Sequence, residues 1–445
     1  MSSFAARAGA WLIVVIALAL FFLAGPAHAF CGFYVGKADA TLFNEASQVI
    51  LVRRDNRTVI SMANDYRGAL TDFALVVPVP TVLERSQIRI GDRRIFERID
   101  SYSAPRLAEY FDPDPCRAMD VMRRAKPAAS PASKMEFMEK RTDQALGVTV
   151  EASYTVGEYD IVILSGTQSD GLETWLRENG YHVPKGAAAA LKPYIRQQMK
   201  FFVAKVNLEE QAQTGVAYLR PLQFAFESER FMLPVRLGMQ NARGPQDLVL
   251  YVLTAGGRVE TTNYRTVKMP ANMELPVYVR GEFARTYKAL FAAQTAREDY
   301  RAMFTEYFWD MSWCDPCAAN PLSPEELRQA GVFWADPAQG QGGGQPVMLT
   351  RLHLRYTRES LPEDLVFQET QDRTNFQARY VLRHPWSGAP DACAAAKPYF
   401  ESVRSRREQE AQTLASLTGW NLAGIRSRME LPQQQPTRWW ESMWK

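Results

Sequence analysis

Histidine is scarce in this chain, with four among 445 residues, and a histidine-based active site has few positions to occupy. Neither Gly-x-Ser-x-Gly nor His-Glu-x-x-His occurs, which excludes the nucleophile elbow of a serine hydrolase and the paired zinc histidines of a metalloprotease. The phrase Gly166-Thr167-Gln168-Ser169-Asp170-Gly171 has the wrong spacing and reads as a helix entry. Charge of one sign is also lacking. The 52 basic and 49 acidic residues leave a net of +3, too little to hold a phosphate backbone, so nucleic acid is excluded as a partner. A second long apolar run is absent, and beyond residue 29 nothing reads as a membrane span.

The first 29 residues have the build of a secretory signal. Arg7 is followed by an uncharged apolar run from Trp11 to Leu23 and then by Ala27-His28-Ala29, which places small residues where signal peptidase reads them. Cleavage there makes Phe30 the first mature residue and predicts an exported protein, periplasmic or extracellular. An uncleaved N-terminal anchor is the lesser alternative, because the apolar run falls short of the roughly 20 residues of a membrane span. All five cysteines, Cys31, Cys116, Cys314, Cys317 and Cys393, lie beyond this segment, and an oxidising compartment favours pairing them with one left over.

Taken in order, the chain predicts an α+β fold with largely antiparallel sheets and several helices. Apolar runs at 49–52, 58–62 and 73–79 read as a meander, followed by a short strand near 86–90 and helical spacing from Arg93. The clearest hairpin spans 148–164, where Val148, Val150, Ala152, Tyr154 and Val156 alternate with polar residues and Gly157-Glu158 makes the turn. Helices follow near Ser169 and over 187–199, and short strands run through to residue 267. Residues 281–311 form the longest helix candidate, with Phe283, Tyr287, Leu290, Phe291, Met303, Phe304, Tyr307 and Phe308 on one stripe. Ser323-Pro324-Glu325-Glu326 is a capping box that starts a further helix. The segments are then a signal (1–29), a β-rich unit (30–125), a linker (126–145), and a central mixed sheet with the long helix (146–312). A Cys-containing α/β unit (313–425) and a Trp-rich tail (426–445) complete the chain.

Several separated phrases together resemble a known family: Phe30-Cys31-Gly32-Phe33-Tyr34-Val35, Met62-Ala63-Asn64-Asp65-Tyr66, Phe73-Ala74-Leu75-Val76-Val77-Pro78-Val79-Pro80, Trp175-Leu176-Arg177-Glu178-Asn179-Gly180-Tyr181 and Cys314-Asp315-Pro316-Cys317. They are similar to the exported bacterial domain of unknown function 2330, from about residue 30 to about residue 425. The resemblance implies a bacterial envelope location and cysteines that belong to the family pattern. It brings no activity, cofactor or ligand, and no catalytic residue is carried over.

Trp313-Cys314-Asp315-Pro316-Cys317 matches the active-site phrase of thioredoxin-like oxidoreductases, in which a helix N-terminus lowers the pKa of the first thiol. Here the capped helix begins only at Ser323, so the dipole is misplaced for Cys314. A structural disulfide of this pair, or structural pairing of either cysteine with Cys393, therefore ranks ahead of a redox site. Cys31 and Cys116, isolated and flanking the N-terminal unit, are expected to pair with each other. A zinc site from Cys314, Cys317, Cys393 and either His353 or His384 lacks a second close pair, and no metal or other cofactor is predicted. Asp112, Asp114 and Asp170 lack the spacing of a calcium loop. Arg351, His353 and Arg355 share one face of a strand, a polar sheet face by default and an anion-binding patch as the sharper expectation. The tail Arg438-Trp439-Trp440-Glu441-Ser442-Met443-Trp444-Lys445 could meet a membrane surface or another envelope protein, although docking on its own body or disorder is the simpler reading. The protein expected is a binding or structural one, with a thiol-disulfide oxidoreductase using Cys314 and Cys317 as the alternative.

Overall fold

The computed structural model describes residues 33–36, 43–67, 73–117, 149–166, 169–179, 186–214, 219–240, 244–312, 320–335 and 346–431. Residues 1–29, Cys31, the 126–145 linker, His182, Cys314, Cys317, the 340–344 glycine run and the Trp tail from residue 432 lie outside them. The fold is α+β with mostly antiparallel sheets, divided into two compact units. Of the described residues, the first comprises those within 33–103, 149–268 and 299–376, and the second those within 104–117, 269–298 and 377–431.

The first unit is layered. Its larger sheet runs in the order Arg265–Lys268, Ala302–Asp310, Met348–Tyr356, Gln246–Thr254, Phe43–Arg54, Arg57–Arg67, Leu222–Glu227 and Ile88–Ile90. A five-stranded antiparallel sheet runs Phe33–Gly36, Phe73–Val79, Lys200–Val206, Tyr159–Ser165 and Thr149–Val156. Alternation along one strand shows how the layers form. Val49 and Leu51 enter the core shared by the two sheets, with Leu75, Val77, Ile161 and Phe202, while Ile50 and Val52 enter a second core beneath helices Arg93–Ser103 and Pro324–Ala330. Helices Ser169–Glu178 and Ala187–Arg196 cover the outer face of the five-stranded sheet through Leu172, Leu176, Leu191 and Tyr194. A strand buried on both faces needs no polar alternation, so 49–52 reads as a continuous apolar run.

Local expectations fare unevenly. The hairpin forms as Thr149–Val156 and Tyr159–Ser165, with Gly157 at φ +57° in the turn. The capping box is present: Ser323 Oγ accepts from the Glu326 amide at 3.2 Å, and Glu326 Oε2 accepts from the Ser323 amide at 2.7 Å. The meander is broken, because Phe73–Val79 leaves the hairpin Phe43–Arg54/Arg57–Arg67 for the five-stranded sheet. The helix expected over 281–311 covers only Phe283–Arg297, and residues 302–310 are a strand. Asp299 and Tyr300 both take left-handed φ, +50° and +58°, which stops the helix and turns the chain. The strand is buried on both faces, with Met303 in one core and Tyr307 in the other, so its aromatic run imitates a helical stripe.

The second unit holds a small sheet of Met273–Leu275, Arg379–His384 and Arg106–Phe111, paired in parallel. Helices Phe283–Arg297, Ala396–Thr418 and Leu422–Arg428 belong to the same unit. The segment read as one helix after residue 93 therefore splits, with helix Arg93–Ser103 in the first unit and strand Arg106–Phe111 in the second.

Candidate functional site

The polar row on strand Met348–Tyr356 exists, but its cations are already neutralised. Strand Ala302–Asp310 carries a β-bulge against it: Thr305 lies opposite Leu352 and Tyr307 opposite Arg351, leaving Glu306 as the extra residue. A bulge re-aims the inserted side chain. Here Glu306, with none of its side chain exposed, places Oε2 2.6 Å from Arg351 Nε and Oε1 2.7 Å from His353 Nδ1. Arg351 also donates to Asp100 Oδ1 at 2.6 Å, and Asp100 in turn accepts from the Tyr251 hydroxyl at 2.7 Å. Gln48 Nε2 donates to that hydroxyl at 3.0 Å. Arg355 makes a two-pronged bond to Asp247, both contacts at 2.6 Å.

Burial by itself would lower the Arg351 guanidinium, but Tyr251, Glu306 and Asp100 around it hold its pKa above the ordinary value. Burial pushes the Tyr251 phenol well up, so this hydroxyl stays protonated. The anion-binding patch is thus corrected: Arg351, His353 and Arg355 each face a carboxylate of the protein's own, and helix Arg93–Ser103 reaches Arg351 through Asp100. A charged residue inside the apolar run Met303–Trp309 was the available signal for Glu306, and it was hidden by reading that run as a helix.

Among the cysteines, Cys116 is bonded to Cys393, with 5.8 Å between the Cα atoms across a sequence separation of 277. This overturns the expected Cys31–Cys116 bridge and removes Cys393 from any pairing with Cys314 or Cys317 and from the zinc ligand set. Spacing misled here because the second unit is assembled from distant stretches that bring 116 and 393 together. Asp112 and Asp114 are also engaged, while the Asp170 side chain lies outside the described residues. Asp112 Oδ2 accepts from Tyr399 at 2.8 Å and Arg406 at 2.7 Å, and Asp114 Oδ1 caps the Cys116 amide at 2.9 Å. Among the described residues no cluster of three or more His, Cys, Asp or Glu could hold a metal ion, and no helix is long and apolar enough to cross a membrane.

A cleft of about 340 Å³ opens in the second unit, lined by Tyr278, Arg383, His384, Arg407, Glu410 and Arg428 among others. Arg383 bonds Glu274 at 2.9 Å, and His384 Nε2 lies 2.8 Å from Glu109 while its ring stacks on Phe111 at 4.5 Å. Arg428 reaches Glu282 at 2.6 Å and lies 4.0 Å from the Tyr278 ring centroid. Arg407 donates to the Met429 carbonyl. Glu410, only 3% exposed, lies 3.6 Å from Arg406 Nε, and burial raises its pKa to about 7. The Glu410 Oε1 and Tyr278 hydroxyl are buried without a hydrogen-bond partner. Sequence reasoning missed these residues, since on a charged helix Arg407 and Glu410 look like members of a solvated face.

The layered α+β fold and the ion-locked sheet define a protein whose architecture is built by burial on both faces of its larger sheet. The chain belongs to domain of unknown function 2330, described as an uncharacterized protein conserved in bacteria, whose family model matches residues 25–368. Cys393, Arg407 and Glu410 lie beyond the matched stretch. No curated protein and no solved structure matches the chain.

Proposed function

We propose that this is an exported protein of the bacterial envelope that works by binding rather than by catalysis. The observation that carries the reading is the Cys116–Cys393 bond, because disulfides persist in oxidising compartments and are rare in the cytosol. The leader-like residues 1–29 support the same compartment. On the side of chemistry, Glu306, Arg351 and His353 are enclosed, and Arg351 is bonded to both Glu306 and Asp100, which suits a structural element better than a proton shuttle. Cys314 and Cys317 are read as structural rather than redox residues.

N-terminal sequencing of exported material should begin at Phe30, and non-reducing peptide mapping should recover Cys116 joined to Cys393. Retention in the cytosol with Cys116 as a free thiol sinks the reading. Insulin reduction well above the rate of a free dithiol, lost in both Cys314→Ser and Cys317→Ser while folding is kept, replaces it with an oxidoreductase.

A further inference from the structure

We propose that the Cys116–Cys393 bond is a reducible clasp on strand Arg106–Phe111, so that a dithiol reductant releases this strand from Arg379–His384 while the first unit stays folded. Burial holds the strand weakly. Among the described residues it pairs on one side only, in parallel with Arg379–His384, and none of its six residues is fully buried. Tyr110 is 43% exposed and Phe111 73%. The ladder runs from the Arg106 amide, which donates to the Ala378 carbonyl at 3.1 Å, to the Asp112 amide, which donates to the His384 carbonyl at 2.9 Å.

Side chains add little along the strand itself. Glu109 meets His384 at 2.8 Å and Arg280 at 3.1 Å, but Arg280 is 66% exposed, and exposed ion pairs hold weakly in water. The firm anchors lie together just past its C-terminal end. Asp112 accepts from Tyr399 and Arg406, and Cys116 is bonded to Cys393. With the bond intact, an undocked strand stays tethered to its partner through residues 112–116 and 385–393, so redocking only closes a short loop. Without it, the two cysteines are joined only through the intervening chain, a separation of 277. Cross-linking a loop of about fifteen residues shifts such an opening equilibrium on the order of a hundredfold.

The clasp is open to attack. Cys116 is exposed and Cys393 half-buried, and neither lies within a helix or a strand. A thiolate of the dithiol attacks one sulfur and expels the other as a thiolate, and the second dithiol sulfur then displaces the remaining cysteine from the mixed disulfide. Two electrons pass to the protein, the dithiol leaves as its cyclic disulfide, and its two protons end on Cys116 and Cys393. Release of the strand leaves Arg379–His384 paired only with Met273–Leu275, with an open edge that an extended chain can join.

The clasp is independent of whether the protein works by binding, and peptide mapping tests the bond itself separately. Its test is native-state hydrogen exchange on the full chain, read by mass spectrometry with and without dithiothreitol. Residues 106–112 should exchange at least tenfold faster after reduction, while strand Gln246–Thr254 of the first unit keeps its protection. The double variant Cys116→Ser/Cys393→Ser should show the reduced pattern without reductant, which assigns the effect to this bond rather than to another cysteine. A change of less than tenfold in 106–112, an equal rise in Gln246–Thr254, or a double variant that exchanges like the oxidised parent would each overturn the proposal.

Discussion

Replacing Arg351 by Met tests whether the bulged strand is held by its ion network. Arg351 is 9% exposed and Glu306 not exposed at all, so solvent screens neither charge, and the substitution leaves a buried carboxylate without its guanidinium, with His353 Nδ1 still 2.7 Å away. Breaking a buried pair by removing one member costs about 3–5 kcal/mol, because the surviving charge stays desolvated. The cation also lies 5.3 Å from the Tyr251 ring centroid and bonds Asp100, so the upper half of that range is expected. Urea unfolding followed by tryptophan fluorescence reads the loss as a lower midpoint at unchanged slope. The loss should be nearly the same in low and high salt, since the pair is shielded from mobile ions. Adding Glu306→Gln to Arg351→Met should recover part of the stability, giving a coupling well above the roughly 0.5 kcal/mol seen for independent sites. An Arg351→Met protein within about 1 kcal/mol of the parent, or a cycle that is additive, would refute the reasoning.

Two further outcomes follow from single positions. Burial raises the Glu410 pKa from its ordinary 4.5 to about 7, so the associated stabilisation is complete below the ordinary value and is lost as pH rises through 7. The loss amounts to roughly 3 kcal/mol by linkage, and Glu410→Gln should abolish that slope in unfolding measured from about pH 5 to 8. Gly331 closes helix Pro324–Ala330 at φ +104°, and a Cβ there would meet Val59 Cγ1 at 2.7 Å. Gly331→Ala should therefore cost about 1–3 kcal/mol, read as a lowered melting temperature, and a neutral result would mean the turn relaxes freely.

How much of this was legible in the residues depended on whether the cause was local. The hairpin at 149–165 and the start of helix Pro324–Ala330 were readable because alternation, a positive-φ glycine and a serine cap act within a few residues. Strand Ala302–Asp310 was misread because a strand buried on both faces has no period of its own, and only the paired left-handed residues Asp299 and Tyr300 break the stripe. The departure of Phe73–Val79 to another sheet was invisible for a different reason. Pairing there is chosen by partners such as Lys200–Val206, more than a hundred residues away.

The sites obey the same division, with a sharper consequence. Arg351, His353 and Arg355 were correctly placed on one strand face, since a period of two is local, but their function depends on what lies opposite, and that was set by a bulge on a distant strand. With Glu306 and Asp247 in place, the same three side chains that could recognise an anion instead cancel internal charge. In the second unit the relation is reversed. Arg407 and Glu410 looked like ordinary solvated charges on a helix, and packing gave one a carbonyl as its partner and buried the other. A cationic residue in a sequence is therefore a binding candidate only until its counter-charge is located.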